Sequence, residues 1–337
     1  MSLYKYVTAD RIDILRNGLI RFTQPTAFAD PFECKPFIES ITAGLDPSEL
    51  SQLCKPTPPD KRKEIKERLA AMKSEELART LGIRIPPEDA QKINQVLQKV
   101  TDGLLDTLSS RHSLRQGLES DDAVAFHRKT LPISLSAQIG ILSLTERPDN
   151  ILMWSHYADH HMGFVIEFDE EHPFFKSTSG ATNSKTPVVL QKVQYSMGRP
   201  ERPCINLKDF VEGSSWYLVK SEEWEYEQEW RMIRPLEHAD VCLQLENKKP
   251  VRIKKRKHEE IWRLIRFVAE VMRPEDGRYI YLFSIHPDCI KAIIFGCRMS
   301  KKDRRKILRL LSGDKRYSHI RKYSATADEK NFQLNIA

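Results

Sequence analysis

The chain reads as an α+β protein: a mixed, mainly antiparallel sheet with flanking helices and a helical insertion. Three observations predict it. Short runs rich in Ile, Val, Phe and Tyr, bounded by turn residues, open the chain and return after residue 139, as strands do. Between them, residues 45–131 become polar and rich in good helix formers. No internal repeat or low-complexity tract interrupts this pattern. Residues 1–44 and 132–337 are therefore expected to form one domain, with 45–131 inserted as a helical cap.

LYKYVT alternates as a strand, ADRIDILRNG has the helical spacing of Ile12 and Leu15 and closes on Gly18, and LIRFTQP is a second strand. TAFADPFECKPFIE carries Pro31 and Pro36 among aromatics, so an ordered but irregular segment follows, with Phe28 and Phe32 expected to pin it to the core. In the insertion, KPTPPD marks a loop and Ile93, Val96, Leu97, Val100, Leu104 and Leu108 define one helical face. His112 and His127 read there as surface or packing residues. Beyond it, IGILSLTE, GFVIEFD, TPVVLQKVQY, YIYLFSI and KAIIFG are strands. A helix is expected over 257–272, its buried face carrying Ile261, Leu264, Ile265, Val268 and Met272. The last helix should begin at Ser300, which can cap KKDRRKILRLL, with Asp303 in the first turn.

Composition narrows the class. The N-terminus lacks the basic start and apolar centre of a secretory signal, and no run approaches the roughly 18 apolar residues of a membrane span. A soluble, cytoplasmic protein without a membrane partner is expected. Six cysteines without a C-x-x-C pair are read as reduced thiols. The net charge of +7 is concentrated in 251–337, which holds 22 Lys and Arg against 10 Asp and Glu. That basic region is a candidate nucleic-acid surface, with a solvated face as the plainer reading. Nothing in the pattern sets an oligomeric state.

Four stretches join polar groups to large aromatics in a way that packing alone does not require: LYKY, FADPFE, SLTERPDNILMWSHYADHHMGF and WEYEQEWR. They nominate Tyr4, Tyr6, Asp30, Glu33, Ser143, Thr145, Trp154 and Glu227 as substrate-binding residues, and Glu229, Arg231, His156 and Tyr157 as catalytic ones. A helix through Trp154 would stack Tyr157 on His161 and His156 on His160. The glutamate of a metalloprotease helix is missing between those histidines, and no metal is predicted. In SEEWEYEQEWRMI a continuous strand would set Glu223, Glu225, Glu227 and Glu229 on one face, ~7 Å apart. The chain must therefore bend, with WEYE a turn or short helix and a strand only from about Gln228. That places Glu229 and Arg231 on one strand face, either presented to a cleft or paired structurally.

The order LYKY, F-x-D-P-F-E, S-L-T, MWSHYADHHMGFVIEF, K-S-x-x-W-x-Y-E-x-E-W-R and I-I-F-G resembles the bacterial family catalogued as domain of unknown function 2971, outside residues 45–131. The chain is also similar, more distantly, to the ADP-ribosyltransferase superfamily and its DNA-targeting toxins. That similarity rests on LYKYVT, the helix ending at Gly18, ILSLT and EQEWRMI in compatible order, with Lys5 where that superfamily has histidine. It implies NAD as substrate and Glu229 as the carboxylate facing an oxocarbenium-like ribose. Aromatic stacking by Tyr4, Tyr6, Trp154 or Tyr157, ribose contacts from Ser143 and Thr145, and a pyrophosphate contact from Arg231 would follow. Two other classes compete: a non-catalytic module binding nucleic acid through 251–337, and a metal-dependent hydrolase using Asp30, Glu33, His156 and Glu229.

Overall fold

A computed structural model describes residues 2–35, 37–38, 139–176, 190–202, 215–246, 249–253 and 279–337, with scattered single positions between 58 and 128. Apart from those positions, the expected insertion lies outside the described residues, as do His112, His127 and the expected helix at 257–272.

The first part of the chain supplies β1 (Ser2–Val7), β2 (Leu19–Phe22) and β3 (Phe37–Ile38). Next come β4 (Ile139–Thr145), β5 (Phe164–Asp169), β6 (Leu190–Lys192), β7 (Gln194–Ser196) and β8 (Glu201–Arg202). The remainder provides β9 (Val219–Ser221), β10 (Glu229–Pro235), β11 (Val241–Glu246), β12 (Lys249–Ile253), β13 (Tyr279–Ser284), β14 (Ile290–Phe295), β15 (Arg321–Ala327) and β16 (Leu334–Ile336). Eight of them form a sheet in the order β16-β15-β14-β5-β1-β4-β10-β6, antiparallel throughout except for β14 and β15. The mixed, mainly antiparallel α+β fold is thus present, and β1 lies inside the sheet built by later strands.

The strands do not all join that sheet. A second, antiparallel one runs β12-β11-β13-β2 and takes the LIRF and YIYLFS segments. The turn that sends β2 there follows the short helix α1 (Asp13–Asn17): Gly18 adopts φ 60°, a left-handed cap that glycine tolerates best. Ile20 and Phe22 then face the space between the sheets, where the Phe22 and Phe283 rings stand 4.4 Å apart. Leu3, Phe164, Phe168 and Ile293 fill the same core from the larger sheet.

Period-two alternation turns Val165 and Ile294 to the opposite face, where they meet Tyr6 and Trp154. Trp154 belongs to α2 (Ile151–Tyr157), capped by the Asn150 side chain on the Met153 amide. The expected stacking of Tyr157 on His161 and of His156 on His160 does not form. Asp159, His160 and His161 all have positive φ, so the helix stops at Tyr157. The chain then returns to the sheet at Gly163, where any Cβ would stand 2.1 Å from the Val7 carbonyl oxygen.

Ser300 caps the last helix, α3 (Lys301–Gly313), by accepting from the Asp303 amide, as its sequence predicts. α3 connects the parallel strands β14 and β15, a connection that needs a crossover. TPVVLQKVQY was expected as one strand. It changes partner at buried Val193, with β6 on β10 and β7 on β9. No helix among the described residues is long and apolar enough to cross a membrane.

Candidate functional site

The larger sheet is incomplete beside β1. β1 pairs with β5 at six successive positions and β4 pairs with β10 at seven, yet β1 and β4 are in register only at Tyr4 and Thr145. Lys5 reaches across this split and donates to the Ser143 carbonyl oxygen at 3.0 Å. A cavity of 320 Å³ opens there.

The acidic stretch forms one side. Glu222–Glu227 is a 3-10 helix, and Gln228, at φ 43°, swings the chain so that β10 starts at Glu229. This is the bend that like-charge repulsion demanded, and it sorts the glutamates: Glu222, Glu223 and Glu225 are exposed, whereas Glu227 and Glu229 are each 3% exposed. Two hydrogen bonds fix the turn. Thr145 Oγ1 donates to the Glu227 carbonyl oxygen at 2.5 Å, and Asn150 Nδ2 donates to that of Tyr226 at 3.1 Å.

Both carboxylates converge on Lys220, whose Nζ lies 2.6 Å from Glu227 Oε2 and 3.2 Å from Glu229 Oε2. Arg231 binds Glu229 through two bonds, Nε to Oε1 at 2.8 Å and Nη2 to Oε2 at 2.9 Å. It also donates to Glu33 and to the Tyr217 carbonyl oxygen. Three carboxylates therefore share two buried cations. Desolvating so many charges is costly unless each is paired.

The pairing is uneven. Burial works to raise the Glu229 carboxyl, but the Arg231 and Lys220 charges overcome it and hold it at about 2. At Glu33 burial prevails over the same two cations, and its carboxyl is raised. Glu227 shares Lys220 with Glu229 and Glu33 and has one neutral donor, the Tyr157 hydroxyl at 2.6 Å. Burial and then Glu227 push the Tyr157 phenol upward, keeping it a donor. Burial and the Arg11 charge lower Lys5 to about 8.

Nine of the twelve nominated residues line the cavity. Tyr4, Tyr6, Ser143 and Thr145 come from its strands, Asp30 and Glu33 from the irregular segment, and Tyr157, Glu227 and Glu229 from the other side. Three do not. Trp154 is fully buried beneath Tyr6, with ring centroids 5.2 Å apart, and its Nε1 donates to the Pro148 carbonyl oxygen. His156 is exposed and its Nδ1 meets the Tyr226 hydroxyl at 3.3 Å. Arg231, 0% exposed, stands behind Glu229 with its donors engaged, so a pyrophosphate contact would require breaking the network.

The hydroxyls of Tyr6, expected to stack, and of Thr145, expected to contact ribose, are committed to protein. Tyr6 donates to the Arg147 carbonyl oxygen, and Thr145 Oγ1 accepts from the Arg147 amide besides donating to Glu227. Phe32, expected to pin its segment, is 62% exposed, while Phe28 packs under the Arg231 guanidinium at 5.5 Å. The irregular segment is tied down by Phe28 and buried Cys34 as well as by charge at Glu33.

Lys5, Lys220 and Trp224 are among the other lining residues and were not nominated. Lys220 and Trp224 lie in the same K-S-x-x-W motif as the glutamates, so the signal was present. No group of three or more His, Cys, Asp and Glu among the described residues is disposed to hold a metal ion. Around Glu33, Glu227 and Glu229 the cations are Lys220 and Arg231, and His156 points elsewhere.

A family model described as "Protein of unknown function (DUF2971)" matches residues 153–232, from α2 into β10. This stretch contains Tyr157, Lys220, Glu227, Glu229 and Arg231. The match carries no activity and lends no support to the ADP-ribosyltransferase resemblance. No curated protein and no solved structure matches the chain.

Proposed function

We propose that the split between β1 and β4 is an enzyme active site that breaks the N-glycosidic bond of a nucleotide, NAD being the candidate substrate, and passes the ribosyl group to an acceptor. The observation that carries this reading is Glu227: a buried carboxylate on the cavity wall, held by Tyr157 and Lys220, in a cluster with one more acid than base. NAD carries a cationic pyridinium, and an excess of negative charge in a desolvated pocket favours it. When the bond between ribose C1′ and the ring nitrogen breaks, the electron pair leaves with neutral nicotinamide and positive charge develops on the ribose. A fixed carboxylate is worth most at that stage. An acceptor hydroxyl or water then bonds to C1′ and gives its proton to solvent. Tyr4, Phe28 and Trp224 offer stacking faces for the rings.

In this reading Glu227 replaces Glu229 as the reacting carboxylate, because both oxygens of Glu229 are occupied by cations. Glu229 acts as a positioning residue that holds Lys220 and Arg231. Product analysis tests the proposal. Incubation with NAD, in the presence of DNA, RNA and protein acceptors, should yield free nicotinamide and either ADP-ribose or a modified acceptor. Intact NAD after prolonged incubation with folded protein would overturn it.

A second reading has one observation of its own. Helix α3 exposes Lys301, Lys302, Arg304, Arg305, Lys306 and Arg309, so the basic C-terminal part would bind nucleic acid without catalysis. Affinity falling steeply with salt, with NAD unchanged, would select it.

A further inference from the structure

A second pocket, of 260 Å³, adjoins the carboxylate cavity and shares Lys5, Tyr6, Thr23 and Tyr157 with it. Its chemistry is the opposite. Lys5, Arg11 and Arg21 line it, and among the described residues no carboxylate does. Among the described residues, buried Arg21 Nε has no hydrogen-bond partner. Lys5 donates only to the Ser143 carbonyl oxygen among the described residues, leaving ammonium protons for a ligand. Arg11 is held through Nε by Asp13 at 3.1 Å. Asp10 accepts from the Thr8 hydroxyl, and Glu229, which acts on Lys5 from the neighbouring cavity, is already bound by Lys220 and Arg231. The three cations repel one another: Arg11 and Arg21 both act on Lys5, and Arg11 acts on Arg21. Pocket-facing cations that repel and lack their full complement of acceptors are a poor arrangement for the fold alone. They suit an absent anion.

We infer that this pocket is a phosphate-binding subsite, in which Lys5, Arg11 and Arg21 hold a phosphate or pyrophosphate group of the substrate whose sugar enters the carboxylate cavity. The inference deepens the proposed function and rests on the reading of that cavity as the substrate site. Sequence placement explains how the subsite is built. Lys5 projects from β1, Arg11 from the 3-10 turn that follows it, and Arg21 from β2, so the strand–helix–strand opening of the chain wraps the pocket. Tyr157, with its hydroxyl on Glu227, stands between acid and base and fixes the boundary at which the phosphate ends and the sugar begins. Guanidinium groups match phosphate oxygens geometrically, whereas a lone ammonium does not fix direction.

Calorimetric titration with inorganic pyrophosphate is the test, using the full chain, Arg21→Gln, Lys5→Met, Lys5→Arg and Glu227→Gln. Saturable binding is expected in the wild type. It should weaken roughly ten- to a hundredfold in Arg21→Gln and Lys5→Met, the range of a lost charged hydrogen bond. Lys5→Arg should retain most of it, which separates loss of charge from loss of fold. Glu227→Gln should bind pyrophosphate at least as well as wild type. If it does so while nicotinamide release is absent in every protein, the subsite stands and the glycosidic chemistry fails. Absence of binding up to millimolar pyrophosphate, or binding that Arg21→Gln and Lys5→Met leave unchanged, would overturn the inference.

Discussion

Arg231 and Glu229, two residues apart on one strand, form a two-bonded ion pair with no exposure of the arginine, and the same guanidinium reaches Glu33, 198 positions away in sequence. The pair thereby joins β10 to the irregular segment after β2. Removing Arg231 leaves two buried carboxylates short of a cation. Arg231→Ala should lose about 3–5 kcal/mol of stability, measured by urea unfolding, if the chain folds at all. Arg231→Lys should recover little, because an ammonium cannot make the paired bonds. An unfolding midpoint like wild type in Arg231→Ala would contradict the structural role.

Tyr157 separates chemistry from folding. The residue is 39% exposed, and among the described residues its hydroxyl makes one hydrogen bond, to Glu227. Tyr157→Phe should cost about 1 kcal/mol of stability. In the proposed enzyme it should lower turnover far more than it lowers the melting temperature, since Glu227 loses the donor that orients it. Steady-state rates and thermal unfolding on one preparation check both.

Acid should weaken the fold in a defined window. A carboxyl held at about 2, as at Glu229, stabilises the native state above its unfolded pKa of roughly 4.3. That contribution disappears as the pH falls toward about 2. Glu33, raised by burial, works in the opposite sense: its contribution declines as the pH climbs above roughly 4.3. The urea midpoint should therefore drop steeply on the acid side of that value. A midpoint constant from pH 5 to 2.5 would show that the Glu229 pairing does not stabilise the fold.

Alkali should act on the phosphate subsite. Lys5, facing Arg11, Arg21, Glu229, Tyr6 and Tyr157, loses its charge at about 8. Relative to Lys5→Arg, which stays charged, the pyrophosphate affinity of the wild type should accordingly fall as the pH passes that value. Titrations at pH 7 and 9 on both proteins decide this. A ratio of wild-type to Lys5→Arg affinity that is the same at the two values would remove Lys5 from the subsite.

Packing predicts a further cost at Gly163. A methyl group there would stand 2.1 Å from the Val7 carbonyl oxygen and 3.0 Å from the Ala158 backbone. Gly163→Ala should lower stability by about 1–3 kcal/mol or more, because backbone and not a flexible side chain must give way. Thermal unfolding of the variant measures it.

Local rules were strong where the pattern was local. The bend between Tyr226 and Glu229 followed from like-charge repulsion, and the Ser300 cap from its spacing to Asp303. Other features depended on contacts distant in sequence. Trp154 looked like a cavity residue because it sits among polar neighbours, but α2 turns it into the core beneath Tyr6. The helix through His160 failed because the chain must reach Gly163 and enter β5. β2 read correctly as a strand, while its sheet was set by Gly18 and by pairing with β13, some 260 residues later. Lys220 shares a motif with Glu227 and Glu229, but folding is what adds Glu33 and turns all three carboxylates toward it.

The most direct measurement is nicotinamide release from NAD by wild type, Glu227→Gln and Glu229→Gln, each with its melting temperature. The account predicts release by wild type, at least a roughly hundredfold loss in a folded Glu227→Gln, and loss of both activity and stability in Glu229→Gln. Release by Glu227→Gln at the wild-type rate, or none by any folded protein, would contradict it.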